Sequence, residues 1–162
     1  MTGRIGIFVL CGFLAAGFSW AGPEEGGWKK VKEAEGIQVF TRSLKGTVGD
    51  EFMAAGKVNA PLEVVKEVWL DFSSYPLWFG SCKEYRLIKV LSPEGHHYLV
   101  YYVAASPSWA VGVSDRDAVL DVRAEASPGK EGRVIILLKA LKEPLVPLKP
   151  DQVRITDMSG RI

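Results

Sequence analysis

Alternation of apolar and polar residues dominates the second half of the chain and predicts β-strands there. Short connections that contain Pro and Gly, at 92–95 and 127–130, are typical of turns between antiparallel neighbours. The segment 116–125 alternates most regularly, so we expect one of its faces to meet the core and the other to meet water. The predicted strands are 84–91, 98–104, 116–125 and 133–140. In the strand 116–125 the predicted inward set is Ala118, Leu120, Val122 and Ala124, and the outward set is Asp117, Val119, Asp121, Arg123 and Glu125.

The first half of the chain predicts two strands. Gly36 opens a strand at 37–42, and a turn at 45–49 leads into a second strand at 51–58. We expect the preceding residues 28–33 to be a short helical or irregular lead-in.

One amphipathic helix follows these strands. It is predicted to begin at Pro61, because proline fits the first helical position, where its missing N–H is not needed. It should end at 73–76, because the residue before Pro76 avoids the helical conformation. Its apolar stripe consists of Leu62, Val65, Trp69 and Phe72, with Glu63, Lys66 and Glu67 elsewhere on its circumference.

The last part of the chain adds little regular structure. Pro144, Pro147 and Pro150 make 142–150 a predicted loop, and 153–156 starts another strand. The order of elements predicts an α+β domain with a curved antiparallel sheet. Because one long helix covers only part of such a sheet, a ligand, another chain or further sequence is expected to fill the open apolar face.

Residues 1–21 are predicted to be a secretory signal peptide. Arg4 precedes an apolar stretch at 5–18, and small residues precede the expected cut after Ala21. The stretch is shorter than the roughly 20 apolar residues that cross a bilayer, which argues against the alternative of a membrane anchor. We therefore expect a periplasmic or secreted protein, with 22–27 as a linker and 28–162 as one domain.

Composition narrows the function classes. The 162 residues include 20 Lys and Arg against 19 Asp and Glu, and 48% are apolar, which argues against a disordered chain. The near-neutral charge and the lack of a Lys/Arg-rich run argue against a nucleic-acid partner. Cleavage after Ala21 would leave Cys82 as the single cysteine, so the core and not a disulfide is expected to hold the domain.

One block of sequence carries a family resemblance. Residues 113–119, Val-Ser-Asp-Arg-Asp-Ala-Val, are preceded by Pro107 and Trp109 and resemble the START (steroidogenic acute regulatory protein-related lipid transfer) family, in its bacterial exported type. Earlier segments are similar to the same family in the same order. They are 36–42 for its first strand, 59–61 for its first helix start and 70–78 for its Asp…Tyr…Trp element.

The resemblance implies the helix-grip fold, in which a curved antiparallel sheet wraps a long C-terminal helix around a tunnel for one apolar molecule. The domain 28–162 is expected to be incomplete at its C-terminus, because the family's last strand and gripping helix would follow 159–162. Sterol-binding members place a charged residue inside, whereas the inward candidates Leu120 and Val122 are apolar, so a sterol is not specifically supported.

The function implied by the resemblance is the non-catalytic binding, and transfer, of a lipid or other apolar small molecule, with transient membrane contact. Two alternatives stay open. An incomplete domain without ligand could complete its sheet with a partner chain or a second copy. A cyclase-like or hydrolase-like enzyme of the same broad fold is the other, and it rests on fold analogy alone.

The candidate ligand-binding residues are aromatic side chains, which can line an apolar pocket and orient a polar group, together with one arginine. Each aromatic is equally explained as ordinary core. Arg116 is expected to be a buried charge that pairs with Asp71 or an adjacent carboxylate and meets the polar head of a ligand. The candidates are Trp69, Tyr75, Trp78, Tyr85, Tyr101, Trp109 and Arg116.

No metal site, catalytic residue or cofactor is predicted. His96 and His97 are adjacent and would point to opposite faces of a strand, and the chain lacks the spacings of zinc motifs. Cys82 is expected to be a small buried apolar residue rather than a nucleophile. Phosphate-binding glycine-rich loops are absent from the sequence.

Overall fold

A computed structural model of the chain describes residues 7–10, 27–43, 50–126, 132–143 and 145–162. These residues form ten β-strands, two α-helices and one 3₁₀ helix. The strands are β1 (Ile7–Leu10), β2 (Lys29–Ala34), β3 (Ile37–Ser43), β4 (Asp50–Ala55), β5 (Cys82–Ser92), β6 (His97–Ala104), β7 (Asp115–Ala126), β8 (Val134–Ala140), β9 (Gln152–Arg154) and β10 (Ser159–Arg161). The helices are α1 (Leu62–Leu70), the 3₁₀ helix Phe72–Ser74 and α2 (Tyr75–Trp78).

The described strands make one sheet in the order β2-β3-β4-β1-β10-β8-β7-β6-β5, with β9 added beside β7. Neighbours are antiparallel except where β1 and β9 pair. Strands β5 to β8 form the consecutive antiparallel run that the period-two alternation predicts. The predicted fold class, a largely antiparallel sheet with few helices, is confirmed.

The inner face of the sheet, on which the helices lie, carries the main core. Alternate residues of three strands meet there in register, with Val100 opposite Leu120 and Leu120 opposite Ala140. Phe72 and Tyr75 pack onto this layer from the helical segment. The inward set predicted for β7 is confirmed, because all four of its residues are buried in this core.

The outer face of the sheet is partly covered as well. The segment before β9 packs on it through Val146, which joins a small core with Val119, and Asp117 is also buried. Arg123 and Glu125, further along β7, are exposed. The expectation of a wet outer face is therefore wrong at the start of β7, where a later segment covers it, and right toward its end.

Three local predictions in the first half need correction. Residues 28–33 were expected to be helical or irregular, but they lie almost entirely in β2, whose side chains are all exposed and whose backbone pairs with β3 as a lysine-rich edge strand. The helix α1 begins at Leu62, one residue after Pro61, and ends at Leu70. Pro76 does not end a helix, because it lies in the first turn of α2, where its missing N–H is tolerated.

Part of the predicted signal peptide enters the sheet. The strand β1 lies between β4 and β10 and runs parallel to both, with Phe8 opposite Met53 and Arg161. It thereby joins β2, β3 and β4 to the rest of the sheet. The signal peptide and its cleavage after Ala21 stay predictions.

Candidate functional site

A pocket lies between α1 and β8, beside the last described residue. Its cavity measures about 40 Å³. Sites for small organic ligands commonly measure roughly 300 Å³ or more, so a ligand of that size would require α1 to move away from the sheet. We call it the α1 pocket, and its lining is Leu62, Val65, Lys66, Trp69, Val134, Ile136 and Ile162.

The helix α1 is suited to that movement. Leu62, Val65 and Trp69 recur at helical spacing and therefore share the side that faces the pocket. None of the helix residues is fully buried, so a movement of α1 breaks only partial contacts, such as those that Trp69 and Leu70 make with the main core. Its C-terminal end is tied down, because the Tyr75 hydroxyl donates a 2.8 Å hydrogen bond to the Trp69 carbonyl.

Aromatic rings fill the inner face next to the α1 pocket. Tyr75 stacks on Tyr85 with 4.2 Å between ring centroids, and Tyr85 stacks on Phe72 at 5.7 Å. Trp69 packs edge-on against Trp78 at 5.5 Å and links these rings to the pocket that it also lines. The aromatic cluster consists of Trp69, Phe72, Tyr75, Trp78, Phe79, Tyr85, Tyr98 and Tyr102.

The aromatic cluster and the thiol beside it carry no charge. Burial raises the pKa of Tyr85 well above its usual value and raises the pKa of Tyr102 to about 12. Burial also raises the pKa of Tyr75 and that of the Cys82 thiol. These groups therefore stay protonated at neutral pH and offer a ligand only dipoles. Cys82 is the small buried residue that the sequence predicts.

Lys66 brings a positive charge to the lining of the α1 pocket. Its side chain is only 15% exposed, pairs with Glu63 and lies 4.0 Å from a Glu67 carboxylate oxygen. The hydrogen bond that it donates to Glu63 raises the pKa of the Lys66 ammonium. Lys66 was expected to lie on the circumference of the helix away from the apolar stripe, and this expectation is wrong. Lys66 is four residues after Leu62 and three before Trp69, a spacing that puts it on their face of the helix.

Four of the predicted ligand-binding residues meet in the aromatic cluster. Trp69 lines the α1 pocket itself, and Tyr75 and Tyr85 are buried beside it. Trp78 is partly exposed, and its indole N–H donates a 3.1 Å hydrogen bond to the Ser74 hydroxyl. The structure therefore gives these four side chains one common location.

The expectation that Tyr101 lines the same pocket is wrong. Tyr101 and Tyr102 are neighbours on β6 and point to opposite faces of the sheet. Tyr102 contacts the aromatic cluster, whereas Tyr101 is fully buried on the outer face. Its hydroxyl lies 3.0 Å from both an Asp117 oxygen and a Gln152 oxygen. Tyr101 is thus a core residue whose polar group already has protein partners.

The buried arginine is Arg154 and not Arg116. Arg116 is exposed on β7, so the expectation that it is buried with Asp71 is wrong. Arg154 donates two hydrogen bonds to Asp117, at 2.9 and 2.8 Å. Burial by itself raises the pKa of Asp117, but these bonds and one from Tyr101 outweigh it and hold that pKa below its usual range. Sequence reasoning missed the pair because Arg154 lies in a three-residue strand without a pattern of its own.

Trp109 lies in the loop 105–114 between β6 and β7, which we call the apolar loop. Trp109 is 82% exposed and Val111 is 97% exposed, and the loop contains no charged residue. The Ala105 N–H donates a 2.8 Å hydrogen bond to the carbonyl of Ser81, shortly after α2. Trp109 therefore lies on the surface and not in the α1 pocket.

The two histidines have polar neighbours. His97 Nε2 lies 2.9 Å from an Asp121 oxygen, and His96 Nδ1 lies 3.3 Å from the Tyr98 hydroxyl. Within the described ranges, no three His, Cys, Asp or Glu side chains are grouped so that they could hold a metal ion. The same part of the chain contains no helix that is long and apolar enough to cross a membrane.

Comparisons with known proteins agree with this architecture. A family model described as START domain matches residues 16–160. Among solved structures, the chain is similar to a fragment of a STAR-related lipid transfer protein from Xanthomonas axonopodis, with 27% identity and a TM-score of 0.72 over 83% of this chain and 71% of that one.

Two human structures share the fold. Human STARD10 is 19% identical with a TM-score of 0.66, and the match covers 82% of this chain and 51% of that one. Human StAR-related lipid transfer protein 5 is 21% identical with a TM-score of 0.62, with 82% and 61% covered. The match therefore spans less than two thirds of either human chain. A search of curated proteins gave no match.

Proposed function

The chain belongs to the START domain family, whose model matches most of its length, and on that premise we propose that it binds one lipid or similar apolar molecule without changing it chemically. The apolar part of the ligand is held between α1 and the inner face of the sheet, against the aromatic cluster. One observation supports this most, namely that an uncharged aromatic surface lies beside a helix none of whose residues is fully buried. Roughly 300 Å² of buried ligand surface at about 25 cal/mol per Å² contributes about 7 kcal/mol before the costs of binding.

The non-catalytic role is supported by the state of the polar groups near the site. The hydroxyls of Tyr75, Tyr85 and Tyr102 and the Cys82 thiol have raised pKa values, and the ammonium of Lys66 is paired. None of these groups is a base or a nucleophile near neutral pH.

A pair of substitutions on α1 tests the proposed location. Val65→Trp puts a large ring into the α1 pocket, whereas Val64→Trp adds the same ring on the exposed side of the helix. We expect Val65→Trp to lose bound lipid while Val64→Trp keeps it, measured by extraction and mass spectrometry of lipid from the folded proteins. Equal lipid content in both variants would place the ligand elsewhere.

The apolar loop supplies the proposed contact with a membrane. Val111, Leu77 and Trp109 are the three most exposed large apolar side chains described, and two of them lie in this loop. Tryptophan is enriched where membranes meet water. The loop adjoins Ser81 and hence the segment that follows α2, so a bilayer at this loop lies near the aromatic cluster.

Export is part of the proposal. An N-terminal apolar stretch of the kind at 5–18, followed by small residues up to Ala21, is typical of a cleaved signal peptide. The intact mass of the protein recovered from the periplasm or medium should therefore correspond to a chain that begins at Gly22. A recovered chain that retains residues 1–21 would contradict cleavage.

A further inference from the structure

Lys66 is the one charged residue in the described lining of the α1 pocket. It lines the pocket together with apolar side chains from α1 and β8, and only 15% of its own side chain is exposed. Placing an ammonium among apolar groups costs free energy unless a negative partner is close. The carboxylate that pairs with Lys66 in the free protein is therefore the group that a ligand anion would have to replace.

That partner is weakly held. Glu63 and Glu67 are both 69% exposed, although the lysine with which they interact is largely buried. An ion pair whose carboxylate is exposed to solvent adds little to the stability of the protein. Water and salt screen the attraction, and a long side chain has to be ordered to form the pair. A carboxylate or phosphate that arrives attached to an apolar chain brings its own buried surface, and it can replace Glu63 at the ammonium.

We propose that the α1 pocket receives the anionic end of an amphiphile, an oxygen anion joined directly to an apolar chain, and that Lys66 is its counter-ion in exchange for Glu63. This inference rests on the proposed function, since the chain of the same molecule is the part held between α1 and the sheet. It names the chemical class of the ligand: a fatty acid, or a lipid whose acidic group is not covered by a larger headgroup. A neutral molecule of the same length lacks the ionic contact.

The geometry favours an anion over a neutral polar end. The Lys66 ammonium has donors and no acceptor, and a lysine side chain is protonated at neutral pH, since its ordinary pKa is about 10. The other lining side chains are apolar apart from the Trp69 indole. A hydroxyl or ester at the same place would put a neutral group where the Glu63 carboxylate was, and would leave the ammonium only the Glu67 carboxylate at 4.0 Å.

Binding of oleate and of oleyl alcohol to the delipidated protein tests the inference, because these probes share a chain and differ in charge. Calorimetry should show oleate bound about tenfold or more tightly, the scale of a charge-assisted hydrogen bond. Lys66→Met should abolish that preference, so that oleate and oleyl alcohol bind with similar affinity, and Lys66→Arg should restore it. Lys139→Met, on the outer face of β8, is the matched control and should keep the preference.

Two further arms complete the test. Glu63→Gln removes the competing carboxylate and should strengthen oleate binding several-fold. Inorganic phosphate should bind far more weakly than oleate, and binding of phosphate as tight as that of oleate would point to a free-anion site instead. If Lys66→Met keeps the preference for oleate, the inference is wrong while the proposed function stands. If the unaltered protein binds neither probe, both fail.

Discussion

The buried pair of Arg154 and Asp117 allows the sharpest prediction about stability. Arg154→Met removes two hydrogen bonds, of 2.9 and 2.8 Å, from a carboxylate in a side chain that is only 2% exposed, and leaves it the Tyr101 hydroxyl at 3.0 Å. Breaking a buried pair from one side costs about 3–5 kcal/mol. We expect the free energy of unfolding to fall by about 3 kcal/mol, the lower end of that range, because the Arg154 side chain is 10% exposed and water reaches part of the pair. At about 2–4 °C per kcal/mol for a chain of this size, Tm should fall by about 10 °C.

The loss should depend on pH with a definite sign. In the unaltered protein the folded-state pKa of Asp117 is held below its usual value, so the group stabilises the fold above about pH 4 and this contribution is lost as the pH falls. In Arg154→Met, burial outweighs the remaining hydrogen bond and raises that pKa. The ionised carboxylate then destabilises the variant at neutral pH, and its protonation relieves the penalty in acid. The gap in Tm between the two proteins should therefore narrow from pH 7 to pH 4.

Thermal unfolding followed by circular dichroism at both pH values measures these effects. Lys83→Met is the matched control. Lys83 makes an ion pair at 2.8 Å with Asp115, which lies on the same strand as Asp117, but the Lys83 side chain is 62% exposed. We expect no measurable change of Tm in this control. Replacing both members, Arg154→Met with Asp117→Leu, should recover much of the stability, since it removes the unpaired charge. An unchanged Tm for Arg154→Met at pH 7, or a loss that is equal at both pH values, would refute the reasoning.

Three further predictions follow from burial. Phe72→Ala opens a cavity in the aromatic cluster and should cost about 3–5 kcal/mol in chemical denaturation, whereas Phe52→Ala, at an exposed position on β4, should cost much less; equal losses would contradict the packing. Trp109→Ala should leave Tm unchanged and lower the bound fraction in vesicle sedimentation, and undiminished binding would remove the apolar loop from the membrane contact. Burial raises the pKa of Tyr85, so its contribution to stability is present below about pH 10 and is lost as the pH rises. The absorbance of its phenolate should therefore appear only when the protein unfolds in alkali, and titration of Tyr85 in the folded protein would contradict its burial.

The strands β5 to β8 could be predicted because their hydrophobic period is local. Ala118, Leu120 and Val122 recur every second residue, and one buried face requires only that pattern. The helical stripe of Leu62, Val65 and Trp69 follows the same logic with a period near 3.6. The position of Lys66 could have been predicted as well, because its spacing from Leu62 and Trp69 assigns it to their side of α1.

Other parts of the site depend on contacts that a local pattern does not encode. Both faces of β6 are apolar, so alternation separates Tyr101 from Tyr102 without indicating which of them faces the helices. The partner of Asp117 lies 37 residues later in the sequence, in a strand too short to show a period. The strand β2 has no buried side chain, and backbone pairing with β3 is what makes it a strand.

Native mass spectrometry of the protein recovered from its export compartment, followed by lipid extraction under denaturing conditions, tests the central claim most directly. The account predicts a chain that carries one apolar molecule in a stoichiometric complex, and this molecule should be absent from Val65→Trp and present in Val64→Trp. The claim would be contradicted by a folded protein that is recovered without any bound apolar molecule and takes none up from added lipid. A dimer or a complex with another protein in that empty state would favour an interaction module whose open face is covered by a second chain.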